Sequence, residues 1–199
     1  MLRQYVENYP EGEKYLAALS DLGLAYQNLF DNNSALRYYQ MVVQKAPASA
    51  EAKDAMIALK SLYVDMNNVD AYFDFASKTG IETDTGVISR DSLTYASTEK
   101  VYLTAQNRNT AIASLNDYLT KFPNGAYRAN ALYYLADSYI ADGRSASAIT
   151  TLQQLAAMHF NGFTVRGLER LAPMCFERKR YAEAASAYRR LAQPAVNPL

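Results

Sequence analysis

The sequence predicts an all-α fold made of about five stacked helical hairpins. Three observations lead to this prediction. An alanine recurs at a nearly constant spacing and is followed four residues later by an aromatic residue or leucine. Short runs rich in Asn, Asp and Gly divide the apolar periodicity into pieces of helix length. No stretch alternates polar and apolar residues with β-branched side chains for long enough to predict a strand.

The recurring alanines define the repeat register. The alanines and the large residues that follow them are Ala35/Tyr39, Ala71/Phe75, Ala111/Leu115, Ala148/Leu152 and Ala184/Tyr188. Successive alanines lie 36, 40, 37 and 36 residues apart. Nine residues before each alanine stand Tyr26, Leu62, Tyr102, Tyr139 and Cys175. Because closely crossing helices need a small side chain at their contact, we expect the alanines to be buried and the large residues to fill the space between hairpins.

A second small residue precedes the alanine by twelve positions in three of the hairpins. It is Gly23, Ala136 or Ala172, whereas Leu59 and Glu99 depart from the pattern. The small residues predict a close approach of the two helices in each of these three hairpins.

The same periodicity predicts two helices in each hairpin. They are expected over 13–30 and 33–46, 50–66 and 69–78, 88–106 and 109–122, 126–141 and 145–158, and 164–178 and 181–192. Pro47 and Pro123 each end a second helix. Pro173 lies inside a first helix and is expected to kink or break it. Residues 79–87 are the least regular piece and are interpreted as a longer loop.

The register divides the chain into an incomplete first piece and five hairpin segments. The segments are 1–12, the end of a preceding repeat; 13–48; 49–87, a degenerate repeat with its loop; 88–124; 125–162; and 163–199, a repeat with a tail. Residues 1–12 read as the last turns of a helix followed by a turn. We therefore expect Met1 to be an expression start and the chain to be a fragment of a longer protein.

These spacings resemble those of the tetratricopeptide repeat. Leu22-Gly23-x-x-Tyr26 followed by Ala35, Tyr39 and Pro47 has the repeat's phrasing. Two further matches are Leu135-Ala136-x-x-Tyr139 with Ala148, and Leu171-Ala172 with Ala184 and Tyr188. The resemblance extends over nearly the whole chain and implies a right-handed α-α superhelix. It also implies a protein that binds other proteins rather than an enzyme, although this fold serves many partners.

A narrower resemblance concerns the phrase KFPNGAYRANALYYLADSY at residues 121–139 and the shorter Asn8-Tyr-Pro-Glu-Gly. This phrasing looks like repeats of bacterial cell-envelope proteins, such as the Tol–Pal coordinating proteins and the outer-membrane assembly lipoproteins. The likeness implies a periplasmic or outer-membrane-associated scaffold. A cytoplasmic location is the alternative.

The sequence shows no group of residues whose types and spacing predict a catalytic or metal-binding site. The single histidine, His159, has no second histidine or cysteine pair with which to bind zinc. The single cysteine, Cys175, occupies a repeat core position and is expected to be a small buried apolar group. The glycines are scattered at helix ends, so no phosphate-binding loop is predicted. We therefore expect no enzymatic activity and no cofactor or metal.

Charge and hydropathy exclude two further classes of partner. Lys plus Arg equals Asp plus Glu at 20 each, and the first half is acidic, so no nucleic acid is expected even with 17 tyrosines. No apolar run approaches the roughly 20 residues that span a bilayer, so this segment is not expected to insert in a membrane. Residues 1–90 carry net charge −4 and residues 164–199 carry +4. This difference in charge orients a partner or aligns copies of the chain. The alternative interpretation is that the charges only keep the helices solvated.

The partner expected from the resemblance is a protein or an extended peptide in the concave groove lined by the first helices. Positions on these helices that point away from the second helix are Ser20, Gln27, Asn28, Lys53, Lys60, Tyr63, Lys100, Thr104, Asn130, Tyr133, Asp137, Arg166, Glu169 and Phe176. Polar and aromatic side chains together suit recognition of a peptide backbone. An ordinary solvated helix face is the other interpretation of these residues. The alternative function is an architectural spacer or a self-associating segment.

Overall fold

A computed structural model of the protein describes residues 1–81 and 90–193. Within these ranges the regular structure is entirely α-helical, which confirms the predicted fold class. The helices are α1 Leu2–Asn8, α2 Tyr15–Asn28, α3 Asn32–Lys45, α4 Ala50–Asp65, α5 Val69–Thr79, α6 Arg90–Thr104, α7 Arg108–Lys121, α8 Arg128–Ala141, α9 Ser145–Ala156, α10 Gly162–Glu177 and α11 Tyr181–Ala192. From α2 to α11 their ends agree with the predicted helices to within two residues.

The chain divides into two compact units, residues 1–97 and residues 98–199. The division falls inside α6. In the first unit α2 packs on α3, α3 on α4, and α4 on α5. In the second unit α7 packs on α8, α8 on α9, α9 on α10, and α10 on α11. Helices α8 and α10, the first helices of adjacent hairpins, also contact each other. The expected loop at 79–87 falls almost entirely outside the described residues, apart from the end of α5, Gly80 and Ile81.

Each unit has its own apolar core, built largely from the residues that the register selects. In the first unit Ala35, Leu19, Val42 and Leu59 are fully buried. In the second unit the fully buried set includes Leu152, Leu155, Ala172 and Cys175. Burying a large aliphatic side chain contributes about 1.5–3 kcal/mol. A single hairpin cannot bury its apolar face alone, so the stacking of several hairpins stabilises the fold.

Four of the five hairpin turns share one backbone conformation, the exception being the turn between α6 and α7. A residue with positive φ stands at each of four turns: Phe30 at 58°, Asn67 at 51°, Gly143 at 75° and Lys179 at 60°. The amide of the next residue donates to the carbonyl five positions back, on Tyr26, Tyr63, Tyr139 and Cys175 respectively. Such a left-handed residue closes the first helix by satisfying a carbonyl that would otherwise lack a partner. Asparagine and glycine were expected there, but phenylalanine and lysine were not.

This shared turn corrects the register of the second hairpin by one residue. The left-handed residue precedes the repeat alanine by five positions at Ala35, Ala148 and Ala184, yet Asn67 precedes Tyr72, not Ala71, by five. Tyr72 is 3 % exposed, whereas Ala71 is only partly buried. Tyr63 therefore occupies the position that the sequence assigned to Leu62.

Two further expectations need correction. Pro173 was expected to kink or break its helix, but it does not break it, because α10 continues from Gly162 to Glu177. Whether Pro173 kinks α10 stays a prediction. Tyr188 was expected in the core but is 50 % exposed, whereas Leu152 at the same register position is fully buried. Gly167 of the following helix α10 lies close to Leu152 and Leu155, whereas no helix is described after α11.

Candidate functional site

The first helices of the second unit carry a strip of packed aromatic rings. Tyr102 of α6 stacks on Tyr134 of α8, with ring centroids 4.3 Å apart and planes 16° from parallel. Phe163 of α10 meets Tyr134 edge-on at 5.9 Å and Tyr133 at 5.7 Å. We call Tyr102, Tyr133, Tyr134 and Phe163 the aromatic strip. It joins three successive first helices.

Two carboxylates and an arginine hold the polar edges of the strip. Asp137 accepts a hydrogen bond from the hydroxyl of Tyr102 at 2.8 Å and another from Arg170 at 2.7 Å. The guanidinium of Arg170 also lies over the ring of Tyr133, 5.3 Å from its centroid. Glu99 accepts from the hydroxyl of Tyr134 at 3.2 Å. Asp137 thus connects α6, α8 and α10 through two charge-assisted bonds, which fixes the surrounding side chains before any partner arrives.

Burial raises the pKa of the Tyr102 hydroxyl well above its usual value, and the hydrogen bond to Asp137 raises this pKa further. A nearby anion disfavours the phenolate, so the hydroxyl stays protonated and remains a donor. The Tyr102–Asp137 contact is therefore maintained throughout the neutral pH range.

The repeat period explains why these residues meet. Tyr102 and Asp137 are 35 residues apart, as are Glu99 and Tyr134, and Asp137 and Arg170 are 33 apart. One period carries a side chain to nearly the same position on the next first helix. The separation of three residues between Tyr134 and Asp137 places both on one face of α8.

The structure brings together only part of the predicted set. Tyr133 and Asp137 belong to the strip and its polar edge, and Asn130 lies half-buried on the same helix. The predicted positions on α6 and α10 are exposed, namely Lys100, Thr104, Arg166, Glu169 and Phe176. Arg166 lies over the ring of Phe163 at 5.7 Å. Tyr133, Asp137 and Arg166 are thus the predicted positions for which the structure shows a contact with the strip or its polar edge.

Two predicted orientations in the first unit are wrong. Tyr63 is only 6 % exposed, and its hydroxyl accepts a hydrogen bond from Gln40 at 2.8 Å, so it is a core residue. The one-residue error in the second hairpin is the cause. Gln27 accepts a hydrogen bond from the hydroxyl of Tyr39 on α3 at 3.2 Å, so it faces the second helix.

The remaining predicted positions of the first unit have no shared feature. Asn28 and Lys53 are exposed, while Ser20 and Lys60 are half-buried. Whether they bind a partner stays a prediction.

Sequence reasoning missed Tyr134, Phe163, Arg170 and Glu99, and it placed Tyr102 only in the core. The register treated tyrosines as packing residues, although a phenol can pack its ring and still donate its hydroxyl to a neighbour. The available signal was the pairing of tyrosines with carboxylates one repeat period away, at Glu99/Tyr134 and Tyr102/Asp137.

Within the described ranges, no group of three His, Cys, Asp or Glu residues is arranged to hold a metal ion. The described helices also include none whose length and apolar character would let it cross a bilayer.

His159 is exposed after the end of α9. Cys175 is fully buried, as expected, and burial raises the pKa of its thiol. A raised pKa disfavours the thiolate, which is the nucleophilic form.

The fold and register define a helical-hairpin repeat protein, and the comparison with family models specifies the repeat. Residues 17–49 and 130–159 match the model described as the tetratricopeptide repeat. The matched segments are the hairpins α2–α3 and α8–α9, which are therefore similar to the tetratricopeptide repeat. These are two of the three segments that the sequence selected; the third, at α10–α11, lies outside the matched residues. No curated protein sequence matches the chain.

Several solved structures are similar to the chain. A structure of MamA from AMB-1 is 15 % identical, covers 90 % of this chain and 91 % of its own, and has a TM-score of 0.46. A kinesin light chain from Podosopora anserina with nearly identical TPR-like repeats is 14 % identical, with coverages of 91 % and 95 % and a TM-score of 0.40. A tetratricopeptide repeat protein from Parabacteroides merdae is 14 % identical, with coverages of 99 % and 72 % and a TM-score of 0.39. Function does not follow from likeness at this level.

Proposed function

We propose that the chain is a non-enzymatic scaffold that binds a protein or an extended peptide on the first-helix face of its second unit. The observation that carries the proposal is the aromatic strip, fixed across α6, α8 and α10 by Asp137 and Arg170. Tetratricopeptide repeats in the same chain support a protein partner.

The composition of this face suits a polypeptide. Tyrosine rings offer large contact area with few rotatable bonds, and their hydroxyls offer hydrogen bonds, so little entropy is lost on binding. Lys100, Arg166 and Glu169 are exposed groups of both charges on α6 and α10, two of the helices that carry the strip. Such a polar rim around a half-buried aromatic centre is typical of protein interfaces.

Site-specific photo-crosslinking tests the proposal. A photoreactive amino acid replaces Lys100 or Arg166 near the strip, or Ala113 as an exposed control on α7. We expect a discrete crosslinked protein from extracts of the source cells at the first two positions and none at Ala113. Equal crosslinking at all three positions would contradict binding at this face.

A second experiment asks whether the strip itself contributes. Tyr133→Ala should weaken the crosslink because it removes the ring that contacts Arg170 and Phe163. Ala185→Ser, on the exposed side of α11, is the control. A thermal melt of both variants separates a loss of binding from a loss of fold.

We further propose a location in the bacterial cell envelope, supported only by the phrasing of residues 121–139 and its counterpart near Asn8. Fractionation of the source cells with an antibody against this chain tests it. Recovery in the cytoplasmic fraction alone would overturn it.

Self-association is the second candidate function, favoured by the net charges of −4 on residues 1–90 and +4 on residues 164–199. Head-to-tail attraction of these regions would weaken as salt screens exposed charges. Sedimentation velocity at low and high salt tests this function. A monomer at both salt concentrations would rule against it.

A further inference from the structure

The second unit contains a cavity of about 500 Å³ on a side of the hairpins that the aromatic strip does not use. It opens between the α7–α8 loop, the residues that follow α9, and the end of α11. Its lining includes Asn124, Arg128, Met158, His159, Phe160 and Arg190. Two guanidinium groups and an imidazole thus face one space, and none of the described residues that line it is acidic.

The two arginines differ from others in the same unit. Arg144, Arg170 and Arg180 each form an ion pair with a carboxylate. Within the described part of the chain, Arg128 and Arg190 form none, although both are half-buried. Arg190 donates one hydrogen bond to the carbonyl of Met158 at 2.6 Å, which fixes its side chain and uses one of its five N–H donors. Partly desolvated, uncompensated guanidinium groups attract an anion more strongly than fully hydrated ones.

The cavity also has an apolar side, which narrows the class of ligand. Phe160 is 39 % exposed, and the half-buried Met158 lines the same space. An inorganic anion would leave both uncovered. A ligand with a carboxylate next to an apolar side chain would satisfy both the arginines and the apolar wall.

Neighbouring grooves indicate a chain molecule as the ligand. Arg128 also lines a groove of about 530 Å³ between α7, α8 and α9, whose walls carry uncharged polar groups such as Asn116 and Gln154. Arg190 also lines a third groove, of about 260 Å³, beside α11. The basic cavity therefore continues on both sides, and amide side chains in the first groove suit a peptide backbone.

We propose that this cavity, which we call the Arg128–Arg190 cavity, binds a carboxylate of a partner polypeptide with an adjacent apolar residue against Phe160 and Met158. The proposal rests on the proposed function and adds a second, chemically selective contact to it. The carboxylate is either the C-terminus of the partner or an Asp or Glu side chain. The basic last hairpin, with net charge +4 over residues 164–199, increases the rate of encounter with such an acidic segment.

Fluorescence anisotropy with three labelled peptides tests the proposal on the whole chain. The peptides are Gly-Ser-Gly-Leu-Phe with a free C-terminal carboxylate, the same peptide amidated, and amidated Gly-Ser-Glu-Leu-Phe. We expect at least one acid peptide to bind about tenfold more tightly than the amidated control, because a charge-assisted hydrogen bond is lost in the control. The free acid and the Glu peptide distinguish a C-terminal from a side-chain carboxylate.

Arg128→Gln and Arg190→Gln should each weaken binding of the acid peptide about tenfold, and Phe160→Ser should weaken it less. Arg189→Gln is the matched control, because Arg189 lies on the same helix, is exposed, and is absent from the described lining of the cavity. Thermal melts of all four variants identify any that fail to fold. Arg190 holds the carbonyl of Met158 through its side chain, so Arg190→Gln could be unstable. In the described part of the chain, Arg128 and Phe160 make no such side-chain hydrogen bond, so their variants still test the proposal in that case.

Three results would overturn the proposal. The acid and amidated peptides bind equally, both arginine variants bind the acid peptide as the unmodified chain does, or inorganic phosphate binds while no peptide does. Crosslinking at Lys100 and Arg166 reports on the first-helix face independently of these peptides. Crosslinks there without selective peptide binding would leave the proposed function in place and reject only the carboxylate site.

Discussion

The hairpins α2–α3 and α8–α9 both match the tetratricopeptide repeat, yet they build the same contact from different residues. In α2–α3 the small residue is Gly23, and a Cβ added there would lie 2.7 Å from the ring of Tyr39. In α8–α9 the corresponding residues are Ala136 and Leu152, both fully buried. The smaller residue thus stands in the hairpin with the larger partner, as close packing of two helices requires.

The two hairpins also differ at the turn. Gly143 adopts its positive φ of 75° without a side-chain penalty, whereas Phe30 adopts 58° and is 91 % exposed. A left-handed conformation costs a residue with a Cβ about 1–2 kcal/mol, so α2–α3 keeps its turn against local preference. Packing of the two helices fixes the turn, and the turn does not depend on a favourable residue.

The two units use buried tyrosine hydroxyls differently as well. In the first unit Tyr39 and Tyr63 bond to the amides of Gln27 and Gln40. In the second unit the hydroxyl of Tyr102 bonds to the carboxylate of Asp137. The neutral pairs hold a core together, whereas the charged one belongs to a network at the proposed binding face.

The largest expected effect concerns the residue that follows the repeat alanine by four positions. Leu152→Ala should destabilise the chain by about 2–5 kcal/mol because it leaves a cavity in a fully packed core. Tyr188→Ala, at the same register position in α11, should change stability by less than about 1 kcal/mol, since Tyr188 is half exposed. Urea denaturation measures both. Similar losses would mean that α11 is covered as α9 is.

The next effect concerns the size pairing between the two helices of a hairpin. Gly23→Ala should cost about 1–3 kcal/mol through overpacking against Tyr39. The double variant Gly23→Ala, Tyr39→Leu reproduces the α8–α9 pair and should be more stable than the sum of the single changes predicts. A double-mutant cycle in urea measures the coupling. Strict additivity would show that the two residues do not compensate for each other.

A smaller effect, of opposite sign, is expected at the turns. Phe30→Gly should stabilise the chain by up to about 1 kcal/mol, because relief of the left-handed strain exceeds the added entropy of the unfolded chain. Gly143→Ala should destabilise it by about 1 kcal/mol. Thermal denaturation compares the two. A loss of stability in Phe30→Gly would indicate that the phenylalanine ring makes a stabilising contact.

The smallest effect is a pH dependence that arises from Tyr102 of the second unit. The folded-state pKa of Tyr102 is raised, so its contribution to stability is complete below the unfolded value of about 10 and is lost as pH rises from there towards the folded value. Tyr102→Phe should therefore reduce the fall of stability between pH 9 and 11. Tyr181→Phe, at an exposed tyrosine, is the control for removal of a phenol hydroxyl. Equal slopes in the unmodified chain and in both variants would show that Tyr102 does not contribute to the pH dependence of stability.

The sequence was sufficient for the helices and for most of the core because both follow from local periodicity. Ala35, Ala111 and Ala148 are buried where the register placed them. The second hairpin was misaligned because Ala71 and Tyr72 are adjacent, and both a small and an aromatic residue can fill a core position. Only the shared turn geometry at Asn67 decided between them.

The candidate sites were less predictable than the fold. Tyr133 and Asp137 were expected on the binding face, but their partners Tyr102 and Arg170 are distant in sequence and were not paired with them. The Arg128–Arg190 cavity was not anticipated at all. Its arginines are 62 positions apart and meet only after α8, α9 and α11 have packed.

By itself the sequence determined that this protein is all-α, where its helices begin and end, and which alanine faces the core in four of the five hairpins, since these depend on neighbours three or four residues away. The tertiary structure alone decided that Tyr63 is buried, that Asp137 joins three helices, and that Arg128 and Arg190 share a cavity. The physical reason is that a charge or a hydroxyl acquires its role from the groups that surround it, and packing between hairpins selects those groups.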